Sequence, residues 1–513
     1  MGAGFGYIPV ISLLRVILCR PAVKQNIDFL IKTLNNLESL PIFCGKKWLF
    51  WLGSFLTVLA ILSFLYLPYG NGDTVYYTMV GRGIFRDHML PYSYAFDHKP
   101  WGVYLFYGAW DKICPFFHGD FFFLSLVLGA VTLYFCRFFG AFNIITASFI
   151  YVFFGNIFGI LDGNTENVLT AGSAVVLAVL YNGLSNKRFV NYFIPGFMIP
   201  LLININYLVA VSLFLPVLFL LFSPRFFKLQ YIFIFSIGCI VGLLTSFSPY
   251  LIEGNNALQS YFRMQHDFLQ NYGGNTVSRI SSVLCTIAYT AMFLPVLLLW
   301  YRKYREEMRA GEPSSLLLPL WFISSLPATV LSGHPFNHYY ILCFVPLVIM
   351  TSVLFYQNVK FPRYSFLFLC IVSIISQGFC TGRNIRWLWD MSFIDYALIT
   401  REAAHQRVLN IRADQAFFYM GDFRTFDRYA FTDHVDIMFG AGAEKRYLND
   451  LAQHPPLVMT PFNACMTGNA ERSVCDVLKK NYTLIYSVNA LTQRKGKLPY
   501  FSLDLYRLAK ESK

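Results

Sequence analysis

Charge is what this 513-residue chain has least of: 13% of its residues are Asp, Glu, Lys or Arg, against 56% hydrophobic ones. With 53 phenylalanines among the latter, it carries more apolar side chain than one aqueous core can hide, which excludes a soluble globular protein. The same content excludes a disordered chain, and 34 Gly and 23 Pro scattered without a period of three exclude a collagen-like one. Metal-ligand spacing is missing too. The eleven cysteines form no paired motif, and Cys136, Cys239, Cys285 and Cys343 lie in apolar runs, where a thiol is a small hydrophobe. No grouping of His, Cys and carboxylates predicts a metal site, and no cofactor is expected; a divalent ion between Asp73 and Glu166 stays open as the alternative. Glycine-rich loops are equally thin. Gly2-Ala-Gly4-Phe-Gly6 precedes an amphipathic stretch, and Gly440-Ala-Gly442 lacks both a third glycine and a strand-to-helix setting, so neither supports a dinucleotide fold.

What remains is a polytopic membrane protein. Apolar stretches of about 17 to 25 residues, enough to cross a bilayer, fall at 47–68, 120–138, 141–161, 166–184, 189–204, 206–223, 229–252, 279–301, 315–332, 338–356 and 364–382, which makes eleven helices. The formal charge of +13 does not point to nucleic acid, because its distribution follows the connections. Arg137, Lys187, Arg188, Arg225, Lys228, the run Arg302 to Arg309, Lys360 and Arg363 fall in every second connection. Together with the basic residues before the first span they place 17 of the 23 Lys and Arg preceding residue 383 on one side. By the positive-inside rule that side is cytoplasmic. The apolar segment Trp101 to Phe117 carries Asp111 and Lys112. Counting it as a span would turn every later basic connection outward, so it is read as an interfacial helix within a long loop, 69–119.

Three regions follow. Residues 1–46 read as a cytoplasmic or interfacial amphipathic segment rather than a cleaved signal, since no small-residue cleavage site follows the apolar patch. Residues 47–382 form the transmembrane body. Residues 383–513 regain charge, with 18 basic and 14 acidic side chains, and read as a small α/β domain outside the membrane, with strand-like runs at Ala416–Met420, Leu457–Thr460, Thr483–Val488 and Phe501–Leu508. Cys465 and Cys475 lie there, in a compartment that permits a disulfide; a bridge and two free thiols both remain open.

Candidate chemistry gathers on the external side. Nine of the fourteen acidic residues before 383 lie there by this topology: Asp73, Asp87, Asp97, Asp111, Asp120, Asp162, Glu166, Glu253 and Asp267. Near a helix end a carboxylate avoids the roughly 2.5–3.5 kcal/mol cost of the bilayer centre. The 69–119 loop is longer than an inert connection usually is. It carries Asp73, Tyr76 and Tyr77 directly after the first span, then Arg82, Arg86, Asp97, His98, Lys99 and Pro100. Read alone, Asp73 is equally an ordinary helix cap beside Gly70-Asn71-Gly72.

The stretches Asp73-Thr-Val-Tyr76-Tyr77 and His98-Lys99-Pro100-Trp101-Gly102 resemble the first external loop of GT-C glycosyltransferases. More narrowly they resemble the protein mannosyltransferase and aminoarabinose transferase superfamily, in which an acidic residue and Tyr are followed by Lys-Pro-Pro-Leu. Trp101 and Gly102 replace the second Pro and the Leu. Asp162-Gly-Asn164-Thr-Glu166 resembles the superfamily's second acidic position, and Gly333-His334-Pro335-Phe336-Asn337-His338-Tyr339-Tyr340 the segment that opens a late helix beside the lipid phosphate.

The resemblance implies a GT-C-like fold of about eleven transmembrane helices plus interfacial helices. It also implies transfer of a sugar from a polyprenyl (undecaprenyl) phosphate to a glycan or glycolipid acceptor. Asp73 and Glu166 are then the expected catalytic carboxylates. Lys99, Arg82, Arg263, His338 and Tyr339 are expected at the donor phosphate and lipid, and Asp97, His98, Tyr76, Asp162, Asn164 and His334 at the substrate. Similarity to serotype-converting glucosyltransferases implies a hexose such as glucose, an O-antigen or lipopolysaccharide acceptor, and a bacterial inner membrane with a periplasmic C-terminal domain. Lipid A and protein O-glycosylation are the alternatives within the superfamily. A transporter or flippase is the alternative outside it, although no repeated halves or midplane charges point there. The topology is tested by reporter fusions: those after residues 188, 228, 309 and 360 should report cytoplasm and those after 119, 165 and 390 the exterior, and an inverted pattern would refute the assigned sidedness.

Overall fold

The computed structural model describes residues 37, 47–67, 72–95, 97, 99–114, 120–223, 227–272, 276–361, 367–392, 394–468, 470–488 and 502–509. The amphipathic reading of 1–46 therefore lies outside the described residues, apart from Leu37, and so does the position of His98.

All eleven apolar segments are helical. Seven are long and apolar enough to cross a membrane: Lys47–Tyr66, Asp120–Phe139, Thr165–Asn186, Leu229–Glu253, Pro313–Leu331, Asn337–Tyr356 and Leu367–Met391. An eighth is broken, Thr276–Met292 and Leu294–Arg309 meeting at 54°. The other three, Ile144–Phe158, Val190–Ile203 and Leu208–Phe222, are shorter. The helix read as ending at 382 continues to Met391, so the last span passes directly into the sheet domain.

Burial orders the bundle. From Ile341 to Leu354 every residue is buried, as expected of a helix that is apolar on all sides and surrounded by other helices. Between helices the hydrophobic effect offers no drive in lipid, so small residues and hydrogen bonds supply the fit. Gly238 and Gly242 lie against the backbone of Phe193 and Phe197 on the neighbouring helix, with no room for a side chain. The hydroxyls of Ser212 and Ser325 lie 2.6 Å apart, and the Leu215 amide donates to Ser324 Oγ at 3.1 Å. Asn156 donates to Gln377 at 2.8 Å across another buried contact.

The 69–119 loop contains two helices, Gly72–Asp87 and Gly102–Ile113. The second has only twelve residues, about 18 Å at 1.5 Å per residue, too short to span. The two helices touch at Gly81 and Gly108: a Cβ on Gly81 would fall 2.6 Å from the Gly108 Cα, and one on Gly108 2.7 Å from the Gly81 Cα. Only glycine at both positions permits this approach.

The C-terminal domain is a five-stranded mixed sheet in the order β2-β1-β3-β5-β4. Its strands are β1 (Arg407–Asn410), β2 (Arg424–Thr425), β3 (Leu457–Thr460), β4 (Tyr482–Val488) and β5 (Leu503–Leu508). β1 runs parallel to β2 and β3, and β5 antiparallel to β3 and β4. One expected strand is a helix. Ala416–Met420 is buried on every residue, and Asp414 Oδ1 accepts from the Ala416 amide at 2.8 Å. A five-residue apolar run has no periodicity to separate strand from buried helix. Cys465 and Cys475 form a disulfide.

The sheet domain is docked on the loop helices by the acidic residues noted above. Arg82 forks onto both oxygens of Asp111 at 2.8 Å and donates to the Tyr419 carbonyl at 3.1 Å. Arg424 pairs with Asp87 at 2.8 Å, the Tyr419 hydroxyl donates to Asp120 at 2.8 Å, and Arg86 reaches Asp422 at 2.9 Å. The density of carboxylates at this end of the bundle is thus in large part a docking surface.

Candidate active site

Asp73 and Glu166 occupy equivalent local positions, each in the first turn of its helix, where the partial positive charge of a helix N-terminus favours an anion. Asp73 is exposed. Glu166 is buried, 1% exposed, and its carboxylate accepts from Asn206 Nδ2 at 3.3 Å and Thr165 Oγ1 at 3.1 Å. Distant in sequence, the two carboxylates act on the same groups: the phenols of Tyr77, Tyr107 and Tyr339 each lie in the electrostatic field of both. Burial, with these carboxylates adding to it, pushes Tyr77 and Tyr107 well above the ordinary tyrosine range. Both therefore stay protonated and can donate. Tyr107 also donates to the Gly163 carbonyl at 2.5 Å, which ties the second loop helix to the turn that precedes Glu166.

Lys99 approaches the same region. Its carbonyl accepts from the Tyr92 hydroxyl and, at 3.2 Å, from Gln265 Nε2, which fixes the Lys-Pro turn against helix Asn255–Tyr272. Its ammonium acts on Tyr207, the neighbour of Asn206, and it forms no ion pair among the described residues. Behind these groups Asp97, 2% exposed, accepts from the Tyr104 hydroxyl at 3.0 Å and lies 3.4 Å from His434 Nε2 of the sheet domain. His434 is stacked on Phe431 and edge-on to Phe268 and Tyr76. Asp97 and Tyr76 therefore form part of the buried wall between loop and sheet domain.

Other expected site residues are described by their own partners. Arg82 is held by Asp111, Tyr419 and Asp422. Arg263 is 85% exposed and faces Asp267 one turn along its helix at 3.8 Å. Asn164 stands at the N-cap position of its helix, and its side-chain amide donates back to the Gly159 carbonyl at 3.3 Å rather than capping the helix. His334 and His338 flank the Phe336 ring, stacked on it at 5.3 and 5.4 Å, while Tyr339 beside them is buried. Asp162 turns to Arg383 at 3.9 Å.

Several contributors were not singled out by the motifs. Tyr107 stands three residues after Tyr104 on an aromatic helix, a spacing visible in the sequence but shared by ordinary core residues. Nothing local marks His434 or Gln265, whose partners lie in remote segments.

Among solved structures, the chain is similar to ArnT from Cupriavidus metallidurans bound to undecaprenyl phosphate, with a TM-score of 0.54 over 90% of this chain and 97% of that one, at 10% identity. It is also similar, more loosely, to the Archaeoglobus fulgidus oligosaccharyltransferase tethered with an acceptor peptide containing the NVT sequon, with a TM-score of 0.40, 10% identity and coverage of 91% and 75%. No family model and no curated protein matches the chain. At such identity the first likeness is one of fold alone: the chain shares the polytopic helical architecture of that structure, with a small sheet domain at its C-terminal end.

Asp162 generates a pH prediction. Burial pushes its carboxyl up to about 6 from the usual 3.8, although Arg383 pulls it down. A group that binds its proton more tightly when folded stabilises below its unfolded pKa, and that contribution is lost as pH rises through about 6. Asp162→Asn should therefore melt a few degrees above wild type at pH 7, with the gap narrowing as pH falls below about 6 and closing only below about 3.8; thermal unfolding in detergent reads this, and a gap independent of pH would contradict it.

Proposed function

We propose that this chain is an integral-membrane glycosyltransferase that moves a sugar, a hexose such as glucose, from a polyprenyl phosphate to an O-antigen, lipopolysaccharide or other surface-glycan acceptor on the periplasmic side of a bacterial inner membrane. The observation that carries the reading is that Asp73 and Glu166, each in the first turn of its helix, both bear electrostatically on Tyr77, Tyr107 and Tyr339, while Glu166 accepts from Asn206, whose neighbour Tyr207 lies in the field of Lys99.

An acceptor hydroxyl is a weak nucleophile at neutral pH, and a carboxylate within hydrogen-bond reach takes its proton as the new bond forms. Asp73, exposed at its helix start, is assigned this role. The acceptor oxygen bonds to the anomeric carbon, the bond from that carbon to the phosphate oxygen breaks, and the proton passes to Asp73. The departing lipid phosphate is already an anion, so it requires fixed positive charge and donors rather than an acid. Lys99 and the hydroxyls of Tyr77 and Tyr339 are assigned to it, while Tyr107, whose one O–H is held by the Gly163 carbonyl, fixes the loop helix beside them. Glu166, held by Asn206 and Thr165, orients the sugar. One base opposite one leaving group is a single displacement, which inverts the anomeric centre.

The lipid tail requires an apolar path leading away from this site. A groove of about 610 Å3 between helices Thr276–Met292 and Pro313–Leu331, lined by Val283, Ile287, Leu294, Ile323, Leu326 and Pro327, supports the reading. Ser278, on the helix that carries Val283 and Ile287, donates to the Gly333 carbonyl, which ties that helix to the segment carrying Tyr339. The similar ArnT structure was solved with undecaprenyl phosphate bound.

Asp73→Asn changes charge and little volume. With purified protein, a panel of lipid-phosphate sugars, and O-antigen, lipid A and peptide acceptors, it should lower transfer by about 100-fold or more while leaving expression and thermal unfolding unchanged. Full retained transfer would remove Asp73 from the mechanism.

A further inference from the structure

A second cavity lies on the seam where the sheet domain meets the first loop. Its volume is about 360 Å3, and Asp87, Tyr94, Arg407, Arg424, Asp427 and Arg428 are among the residues lining it. That is within the usual range for a small-ligand pocket, about 300–1,000 Å3. Charge inside it is not balanced. Both lining carboxylates are already paired, Asp87 with Arg424 at 2.8 Å and Arg86 at 3.3 Å, and Asp427 with Arg446. Arg407 and Arg428 form no ion pair among the described residues; Arg428 rests over the Tyr429 ring at 5.2 Å.

Two further features suit the cavity to an anionic partner. Parallel pairing sets Arg407 directly opposite Arg424 across β1 and β2, and like charges so placed are destabilising unless something neutralises them. Asp87 offsets only one of the two. The Nε–H of Arg424 is also buried without an acceptor, an arrangement proteins generally avoid.

We propose that this seam cavity is a binding site, separate from the Asp73 and Glu166 site, for an anionic saccharide whose carboxylate or phosphate is held by Arg407, Arg428 and the Nε–H of Arg424. Guanidinium groups suit both anions because their planar donors match paired oxygens. The remaining lining argues for a sugar rather than a bare ion. Asp87 and Asp427 would repel a simple anion but accept from sugar hydroxyls, and Tyr94, Ser93 and Thr425 add further hydroxyl partners. A ligand here would bridge loop and sheet domain. Reading this saccharide as an acidic sugar of the acceptor glycan rests on the proposed transferase function; the binding itself does not.

Binding is therefore measured without transfer, by calorimetry on the full chain in detergent, with glucose 1-phosphate, glucuronate, inorganic phosphate and glucose as probes. Saturable binding of glucose 1-phosphate or glucuronate is expected, the preferred acid identifying phosphate or carboxylate, with glucose and inorganic phosphate at least tenfold weaker. Arg407→Gln with Arg428→Gln should weaken the preferred acid at least tenfold. Arg407→Lys with Arg428→Lys, which keeps the charge, should recover part of that loss. Both arginines are on the surface, and a thermal unfolding curve matching wild type identifies folded variants. No saturable binding of either acid to wild type, or equal affinity in the folded glutamine variant, would overturn the proposal, whatever the outcome of the transfer assay.

Discussion

The placement of the candidate site depends on one guanidinium. Arg82 projects from the first loop helix, forks onto Asp111 of the second, donates to the Tyr419 carbonyl and stacks over the Tyr419 ring at 4.5 Å. It therefore joins both loop helices and the sheet domain at one point. Removing one member of a buried pair costs about 3–5 kcal/mol. Here the side chains are 24% and 18% exposed, which lowers the cost but leaves the geometry. Gly81 and Gly108 bring the helix backbones together on one side of Arg82, and Asp73 begins the helix that carries it. A residue that the resemblance implies at the donor phosphate thus serves as the anchor of the loop.

The spans were legible because crossing a bilayer demands long uninterrupted apolar runs, and all eleven are helices. The bend between Met292 and Leu294 and the short Val190–Ile203 helix left no comparable mark, because neither changes hydropathy. In the sheet domain, Leu457–Thr460 and the C-terminal hairpin were readable as apolar runs bounded by polar turns. Arg407–Asn410 and Arg424–Thr425 were not, since four and two residues carry too little pattern. The run Ala-Phe-Phe-Tyr-Met at 416–420 misled for the opposite reason, being apolar throughout and buried throughout.

At the site, acidic residues next to helix starts were readable by type and position, and Asp73 and Glu166 each stand in the first turn of a helix. Which of the remaining carboxylates serve structure was not readable, since that depends on partners hundreds of residues away. Asp87 meets Arg424, Asp97 meets His434 and Asp120 meets Tyr419. The sheet domain is consequently more than a cap. It supplies the wall behind the tyrosines, and along the same seam it leaves Arg407 and Arg428 facing a cavity with more positive charge than its own carboxylates neutralise.

The most direct measurement is an experimental structure of the full chain in lipid nanodiscs with a non-transferable polyprenyl phosphonate sugar. The sugar should lie between Asp73 and Glu166, the phosphonate beside Lys99 and Tyr339, and the chain along the groove at Ile287 and Leu326. A sugar bound away from both carboxylates, or a tail leaving by another face of the bundle, would contradict the assignment of this site as the place of transfer.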